Sequence, residues 1–357
     1  MKKTRVTHII APLGIYGKEN WLLAFMRHFD RASMEVSVIV LSAHEQCPLA
    51  ARLAELDIPV DIIKSPAAFR IGYVRAIRRC VRERRIEIIH AHDYKSDILG
   101  LLASIGTGAG TVSTPHGWCA RGDVKVALYE EIDRLFLAFF DRVAPLSSPM
   151  ASTLRVIPRN KVRVINNFVD LDALPAPKSN RGKVVTYIGR LVGLKRVEDI
   201  IHAMTFIRDG DARLQIVGDG PLRRRYESLA QSLCLQDRIA FLGYRNDQLA
   251  LLNESRILVL PSESEGISRA AMEGMALERV IIGTNIPGIR ELVVDGMNGF
   301  LVNVGRPREI ADRIDHVFSH PDEADRLARE GRLTIERSFS AAAAVRQYEH
   351  LYRELVP

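Results

Sequence analysis

Residues 174–195 read LPAPKSNRGKVVTYIGRLVGLK and divide the sequence into two halves of similar design. The first nine of these residues are rich in proline and polar side chains and have no hydrophobic period, which is typical of a linker. A short run of β-branched and aromatic residues follows and ends in a glycine and a basic turn. Strands buried on both faces have such nearly continuous apolar runs. We therefore predict a linker over 174–182 and the first strand of a new domain directly after it.

Apolar runs alternate with helix-like stretches on both sides of this linker, a pattern typical of parallel sheets with helices on both faces. The predicted strands are Val6–Ala11, Glu35–Leu41, Val60–Ile63, Ile86–His90, Thr111–Thr114 and Val162–Ile165, then Lys183–Ile188, Arg213–Val217, Ile239–Leu242, Ile257–Leu260, Val280–Gly283 and Phe300–Val302. We predict an α/β fold of two Rossmann-like domains, residues 1–173 and 183–339, facing each other across a cleft, and a closing helix within 340–357. Ligands of such sheets bind at the carboxyl ends of the strands.

The composition is that of a globular protein, with 47% hydrophobic and 26% charged residues among 357. The longest apolar run, Leu135–Phe140, is far shorter than the ~20 residues that cross a membrane, so we exclude a transmembrane protein. The basic N-terminus resembles a signal peptide only superficially, because Thr7 and His8 interrupt its apolar stretch. The four cysteines are scattered and have no metal-ligand spacing. We expect reduced thiols and a cytoplasmic protein.

Positive charge is concentrated in the first half of the sequence. The net charge is +7, and residues 1–175 carry 24 Lys and Arg against 18 Asp and Glu. Seven arginines lie in the predicted helix Arg70–Arg85, whose other face carries apolar residues at helical spacing. The plainer interpretation is an ordinary helix that packs on the sheet and exposes a solvated basic face. A peripheral contact with anionic lipid on the cytoplasmic face of the inner membrane stays open as a hypothesis. No aromatic stacking surface accompanies the charge, so nucleic acid is not an expected partner.

Two segments of the second half have the chemistry of a phosphate site. The first strand runs into Gly189–Lys195, where Arg190 offers a planar fork of donors and Lys195 a mobile charge, which together suit a diphosphate. In Pro261–Ala276 another strand ends, a glycine permits a turn, and a helix begins whose free N–H groups can seat a phosphate. The carboxylates of Glu265 and Glu273 can accept hydrogen bonds from sugar hydroxyls. A basic loop and a helix with a solvated acidic edge are the plainer alternatives.

Together these segments resemble the retaining glycosyltransferases of family 4, which have the GT-B fold. The similarity rests on the Gly-Arg-x4-Lys loop and the Glu-x7-Glu pair, and it covers essentially the whole chain. Other matching segments are Asn167–Asp170 (where the family usually has Asn-Gly-Val-Asp), Gly218–Pro221, Gly288–Glu291, Asp295–Phe300 and the closing helix. In that family the closing helix crosses back onto the first domain.

The resemblance implies a nucleotide diphosphate sugar as donor and a role for each matching residue. The residues assigned to the donor are Gly17, Arg190, Lys195, Glu265, Gly266, Ile267, Ser268, Arg269 and Glu273. Arg190 and Lys195 would neutralise the diphosphate and stabilise it as it leaves. Glu273 would hold the ribose hydroxyls, and Glu265 would bind the donor sugar. The base would lie against Phe241–Tyr244.

The first half supplies fewer residues to this resemblance. The family's Gly-Gly-x-Glu-like loop reads Gly14-Ile15-Tyr16-Gly17-Lys18-Glu19 here, so Gly17 and Glu19 fit and the first glycine of the pair does not. His116 follows a strand, and in the family a histidine at this place lies beside the donor sugar. The catalytic candidates are thus His116, Arg190, Lys195 and Glu265.

Four further residues of the first half are candidate acceptor or sugar contacts: Lys18, Glu19, Asp93 and Lys95. For Asp93, capping of the following helix is an equally open interpretation, with Lys95 then in solvent. The Asp-x-Asp pair at Asp170 and Asp172 lies at the linker, and Asp170 belongs to the matching segment Asn167–Asp170. We expect neither a metal site there nor any metal or other cofactor.

The sequence thus predicts a metal-independent, retaining glycosyltransferase that moves a hexose from a UDP- or GDP-sugar to a hydroxyl acceptor. The expected acceptor is a saccharide or a lipid-linked glycan in bacterial polysaccharide or glycolipid synthesis. Two alternatives stay open: a nucleotide-sugar epimerase of the same fold, and a non-catalytic protein that binds a nucleotide sugar or glycan.

Overall fold

The computed structural model describes residues 3–12, 17–42, 47–64, 71–116, 124–179 and 182–356, without the side chains of residues 71 and 124–130. Parts of the sequence predictions, among them Gly14–Tyr16, Arg70 and residues 180–181 of the predicted linker, lie outside these residues. The chain divides into two compact units. The first is Met1–Asn167 together with Ala341–Pro357, and the second is Phe168–Ser340. The N-terminal segment of the first unit thus ends at Asn167, whereas we placed the end of the first domain at residue 173.

The described strands of the first unit form one parallel sheet in the order β3-β2-β1-β4-β5-β6. They are β1 (Thr4–Ile10), β2 (Met34–Ser42), β3 (Val60–Lys64), β4 (Ile88–Ala91), β5 (Gly110–Ser113) and β6 (Arg142–Val143). The helices are α1 (Gly17–His28), α2 (Pro48–Ala54), α3 (Ile71–Glu83), α4 (Tyr94–Ser104), α5 (Val124–Leu137), α6 (Ser148–Thr153) and, from the end of the chain, α14 (Ala341–Arg353).

The second unit has its own parallel sheet, in the order β12-β11-β10-β7-β8-β9. Its strands are β7 (Val184–Ile188), β8 (Arg213–Val217), β9 (Ile239–Gly243), β10 (Ile257–Leu260), β11 (Val280–Thr284) and β12 (Phe300–Val302). Its helices are α7 (Val197–Ala203), α8 (Arg223–Ser232), α9 (Gln248–Asn253), α10 (Arg269–Ala276), α11 (Pro287–Arg290), α12 (Pro307–Ser319) and α13 (Pro321–Ser338).

Alternation along the central strands explains why both faces of each sheet are covered. In β10, Ile257 and Val259 pack into one core with α7 and α12, whereas Leu258 and Leu260 pack into the opposite core with α10 and α13. Burying each such side chain contributes roughly 1.5–3 kcal/mol to stability. Because all four residues of β10 are buried, the strand must lie inside the sheet with helices on both faces. The position of its carboxyl end, where the loop to α10 begins, is determined in the same way.

The last helix completes the core of the first unit. Tyr348 and Tyr352 of α14 are fully buried. Their hydroxyl groups lie 3.0 Å from Thr114 Oγ1 and 2.6 Å from His90 Nδ1. The Tyr348 ring also packs edge-on against Phe25 of α1. These contacts join α14 to strand ends that lie more than 230 residues earlier in the sequence.

The two-sheet α/β fold is confirmed, and one of the predicted strands is wrong. Val162–Ile165 is not a strand: Val162 makes one isolated bridge to Val143, and the chain then leaves the sheet. The actual edge strand, β6, is only two residues long and was not predicted. Among the described helices, none is long and apolar enough to cross a membrane.

Candidate active site

The ends of four neighbouring strands of the second unit, β10, β7, β8 and β9, meet at the carboxyl edge of its sheet. The loop after β7 bonds to the loop after β8 through Leu191 N–H and the Asp219 carbonyl, 2.9 Å apart. It bonds to the loop after β10 through Glu263 N–H and the Leu194 carbonyl, also 2.9 Å apart. Gly218 N–H donates to the Gly243 carbonyl at the end of β9. The predicted phosphate, sugar and base segments therefore lie on one edge.

Arg190 is exposed at this edge on a tightly supported backbone. The buried Tyr187 donates its hydroxyl to the Arg190 carbonyl at 3.1 Å. Burial, and secondarily the nearby Glu265 carboxylate, raises the pKa of Tyr187, so its hydroxyl stays protonated and remains a donor. Within the described part of the chain no hydrogen bond or ion pair holds the Arg190 guanidinium, so its five N–H groups are available to an anion.

Glycine is required where the loops after β7 and β8 touch. Gly218 has φ +138°, a conformation that side chains rarely adopt, and a Cβ there would overlap the Gly189 carbonyl oxygen. A Cβ on Gly220 would likewise collide with the Leu191 carbonyl group. These contacts fix the height of the Arg190 backbone above the sheet.

Lys195 and Glu265, for which we predicted separate ligand roles, form a direct ion pair between Lys195 Nζ and Glu265 Oε1. Ser262 Oγ donates to the same carboxylate oxygen at 2.6 Å. The Glu265 side chain is only 7% exposed, whereas that of Lys195 is 28% exposed. The lysine therefore has room to turn toward a ligand, and the serine holds the carboxylate in place.

The start of α10 lies beside this pair. Ser268 caps the helix, with its Oγ accepting from Ala271 N–H at 3.4 Å. Glu273 lies one turn inside α10 with its side chain 3% exposed, and its Oε1 accepts from Arg269 Nε at 2.7 Å. The first N–H groups of the helix and the buried carboxylate are thus presented from one short element.

The loop that carries Glu265 also packs closely against α11. A Cβ on Gly288 would overlap the carbonyl oxygens of Glu265 and Gly266. Gly266 itself has open space on its side-chain side, and Ile267 packs against the core between α10 and α13. The contacts of Gly288 with the two carbonyl groups and of Ile267 with the core thus fix the backbone of residues 265–267, and the space beside Gly266 stays open.

In the first unit, Asp93 caps α4, which was one of the two interpretations left open. Its Oδ1 accepts from Ser96 N–H at 3.0 Å, and Ser96 Oγ accepts from Asp93 N–H, which forms a capping box. Its Oδ2 accepts from Ala11 N–H and from Lys18 Nζ, at 2.9 and 2.8 Å. Lys18 also donates to the Ala11 carbonyl. Both side chains are thus engaged in joining the loop after β1 to the loop after β4.

The other first-unit candidates lie near this junction. Gly17 begins α1 with open space around its Cα. Glu19 is buried in the first turn of α1. Lys95 is half-buried in the first turn of α4, and burial lowers the pKa of its ammonium group.

His116 belongs to a cluster of buried aromatic residues that the sequence analysis did not identify. Its Nε2 lies 3.3 Å from His92 Nδ1, and His92 Nε2 lies 2.8 Å from His8 Nδ1. His90 bonds instead to Thr114 and Tyr352. Trp21 of α1 packs edge-on against the His116 ring, with the centroids 5.4 Å apart. The sequence contained one indication of this cluster, because its histidines lie in or just after β1, β4 and β5, which are neighbours in the sheet.

Ring nitrogens of His8, His90 and His92 lie within 4.8 Å of one another, a spacing that a metal ion could use. His90 and His92, however, each have both nitrogens in hydrogen bonds. Coordination would have to break these bonds inside a fully buried core. The donor set therefore fits a hydrogen-bond network better than a metal centre.

The comparisons with known proteins identify the family to which a chain with this fold and this strand-end site belongs. Residues 174–334 match the model described as Glycosyl transferases group 1, and residues 15–173 match Glycosyltransferase Family 4. The two matches adjoin and together span residues 15–334. The chain belongs to this family of glycosyltransferases.

Individual relatives are similar at lower identity. Over 365 residues, 92% of each chain, the sequence is 25% identical to the putative glycosyltransferase EpsD of Bacillus subtilis. Over 295 residues, 79% of this chain and 77% of the other, it is 27% identical to the D-rhamnosyltransferase WbpZ of Pseudomonas aeruginosa. Anabaena Alr3699/HepE, solved in complex with UDP, has the same fold, with a TM-score of 0.83, 18% identity and coverage of 98% and 100%.

Proposed function

We propose that this glycosyltransferase moves a hexose, with retention of the anomeric configuration, from a nucleotide diphosphate sugar to a hydroxyl group. The acceptor is a saccharide or lipid-linked glycan of bacterial polysaccharide or glycolipid synthesis. The names of two relatives support this, the capsular polysaccharide biosynthesis glycosyltransferase CapM of Staphylococcus aureus and the lipopolysaccharide core biosynthesis glycosyltransferase LpsE of Rhizobium meliloti. UDP-sugars are the first donors to test, because the Anabaena protein of the same fold was solved with UDP and with UDP-glucose.

One observation carries the proposal: Arg190, Lys195 and the N-terminus of α10 lie on one edge of one sheet, beside two buried carboxylates. The cationic groups and free N–H groups suit the two phosphates of a donor. Glu273 suits the ribose hydroxyls and Glu265 the hydroxyls of the sugar. With this much positive charge in place, the diphosphate needs no divalent cation.

Binding of the donor would rearrange the Lys195–Glu265 pair. Lys195 would exchange the carboxylate for a phosphate oxygen, and Glu265 would then accept from a sugar hydroxyl. Ser262 keeps its 2.6 Å bond to Glu265 Oε1 throughout and so prevents the freed carboxylate from turning away. Before the donor binds, the ion pair thus keeps the Lys195 ammonium group and the Glu265 carboxylate next to each other in the site.

The chemistry depends on stabilising the departing diphosphate. As the glycosidic C–O bond breaks, negative charge grows on the phosphate oxygen, and Arg190, Lys195 and the α10 N–H groups stabilise it. The acceptor hydroxyl attacks from the face that the diphosphate leaves, which retains the configuration. Its proton passes to the departing phosphate oxygen. His116 contributes a contact to the donor sugar.

A thermal-shift screen tests the donor site without requiring the acceptor. A ligand that binds only the folded protein raises its melting temperature by mass action. We expect one of UDP, GDP or ADP, or one of their sugars, to raise the melting temperature equally with and without EDTA. No shift with any nucleotide would overturn the donor site, and a shift abolished by EDTA would overturn metal independence.

We further propose a peripheral contact of α3 with anionic membranes. Its apolar residues, including Ile77 and Val81, pack on the sheet, which confirms the plainer interpretation of that face. Arg78 donates to main-chain carbonyls at the end of α4, and Arg84 pairs with Asp61 at 2.8 Å. Arg79 pairs with Glu83 of the same helix at 3.8 Å, so the exposed basic face of α3 consists mainly of Arg75 and Arg82.

The double variant Arg75→Ala/Arg82→Ala should weaken binding to vesicles that contain phosphatidylglycerol. Each arginine near such a surface contributes about 1 kcal/mol, so the partition coefficient should fall ~30-fold. Vesicle sedimentation measures it. Arg224→Ala/Arg225→Ala, which removes two exposed arginines of α8, is the matched control and should bind as the parent does. Equal binding by both double variants would exclude α3 as the contact.

A further inference from the structure

Three histidines of the first unit form a linear hydrogen-bonded chain that ends at His116. It runs from His8 Nδ1 to His92 Nε2, 2.8 Å, and from His92 Nδ1 to His116 Nε2, 3.3 Å. His8 and His92 are fully buried, and the remaining nitrogen of His8, Nε2, is buried with no hydrogen-bond partner among the described residues. This row of hydrogen-bonded histidines thus ends in the buried core at His8 and, at its other end, at the half-buried His116.

All three rings are neutral near pH 7. Burial lowers the pKa of His8 and of His116 to about 3, and it lowers the pKa of His92 well below the usual value. The ammonium group of Lys18 lowers the pKa of His116 further, and the Asp93 carboxylate opposes it without reversing the direction. Each ring therefore carries one N–H and one lone pair, so every hydrogen bond in the chain has a direction.

Only two arrangements of the protons are consistent with both bonds. In the first, His8 Nδ1–H donates to His92 Nε2, and His92 Nδ1–H donates to His116 Nε2, so His116 carries its proton on Nδ1. In the second, both bonds run the other way, and the proton of His8 is then on Nε2. That nitrogen has no acceptor, so the second arrangement buries an unsatisfied N–H group. The first leaves only an unused lone pair, which folded proteins tolerate more readily.

We propose that His8 and His92 are positioning residues that fix the proton of His116 on Nδ1, so that His116 meets its ligand as an N–H donor. Trp21, packed edge-on against the His116 ring and 5.1 Å from the His92 ring, limits rotation of both. An N–H group in this place donates to an oxygen atom of the donor sugar and cannot act as a base. The identity of the ligand of His116 rests on the proposed function. The tautomer of His116 follows from the hydrogen bonds alone and does not depend on that function.

Side-chain NMR of protein labelled with ¹⁵N-histidine tests the tautomer directly. The protonated and unprotonated ring nitrogens have well-separated shifts, and the His116→Gln spectrum identifies the signals of His116. We expect Nδ1 of His116 to carry the proton and its shifts to stay constant from pH 5 to pH 8, where an unperturbed histidine titrates. A proton on Nε2 in the parent protein would overturn the proposal without any variant.

Variants at His92 test whether the chain sets this tautomer. His92→Phe keeps a ring but removes both nitrogens, so His116 should become a mixture of tautomers. His92→Gln restores a donor and an acceptor and should restore the Nδ1–H form. Tyr352→Phe is the control, because it removes a hydroxyl that bonds His90 in the same cluster and leaves the chain intact. An Nδ1–H form that persists in His92→Phe would overturn the positioning role.

Kinetics separate this inference from the proposed function. In His92→Phe the KM for the nucleotide sugar should rise, while the affinity for the free nucleotide diphosphate, which lacks the sugar, stays unchanged. If NMR shows the expected tautomer but His116→Gln turns over like the parent, the sugar contact proposed for His116 fails and the histidine chain stands. A general loss of folding would instead lower both affinities, and the Tyr352→Phe control shows what a packing defect alone does.

Discussion

Replacing Arg190 by alanine should lower kcat/KM for the donor about 10²–10³-fold, with an unchanged melting temperature. The guanidinium is exposed and makes no hydrogen bond or ion pair within the described residues, so its removal costs the fold nothing. The loss should fall mainly on kcat, because the charge on the diphosphate is greatest as it departs. Initial rates over a range of donor concentrations, together with thermal unfolding, measure both quantities.

Arg213→Ala is the matched control for this prediction. Arg213 is an exposed arginine of the same unit, but it begins β8 and so lies at the amino-terminal edge of the sheet, opposite the site. Its variant should keep the kinetic constants of the parent. Unchanged kcat/KM in Arg190→Ala would contradict the donor site, whereas a rise in KM alone would show that Arg190 binds the donor without assisting its cleavage.

Gly218→Ala should destabilise the second unit by about 3 kcal/mol, the cost of forcing extra volume into a packed site. The new Cβ would collide with the Gly189 carbonyl oxygen, and φ of +138° adds strain of its own. Any relief must move the loop after β7, and Arg190 moves with it. We therefore expect a lower melting temperature and also weaker nucleotide binding, measured by thermal unfolding and calorimetric titration.

The control for Gly218→Ala is Gly210→Ala, because Gly210 has open space on its side-chain side and no positive φ. Alanine there should leave stability and nucleotide affinity as they are, or raise stability slightly by restricting the unfolded chain. If the two variants behave alike, the close contact between the loops after β7 and β8 does not support the site.

The strands could be predicted from the sequence where hydrophobic burial alone decides. The predicted boundaries of β10 are those of the structure, because its four residues are buried on both faces and a proline ends it. Val162–Ile165 has a similar local pattern but is not a strand. The strand to which Val162 bridges, β6, is two residues long, so this pairing does not extend beyond a single bridge. Local pattern does not reveal the length of a pairing partner.

The sequence predicted which residues form the candidate site, but it did not predict the contacts among their side chains. The sequence places Lys195 and Glu265 at two strand ends, yet their ion pair joins residues 70 apart and depends on which strands are neighbours. It left capping and ligand contact equally open for Asp93, and only the bonds to Ser96 and Ala11 show that the carboxylate is already engaged. The directions of the His8–His92–His116 bonds depend on individual ring nitrogens, which no sequence pattern specifies.

The place of α14 in the first unit has a consequence for synthesis on the ribosome. Domains usually fold as they emerge, with the N-terminal one first. Here the core around His90 and Thr114 lacks Tyr348 and Tyr352 until the end of the chain has been translated. The second unit, a continuous stretch from Phe168 to Ser340, emerges whole before that. The core of the first unit is therefore completed only after the second unit has emerged, although most of the residues of the first unit are translated earlier.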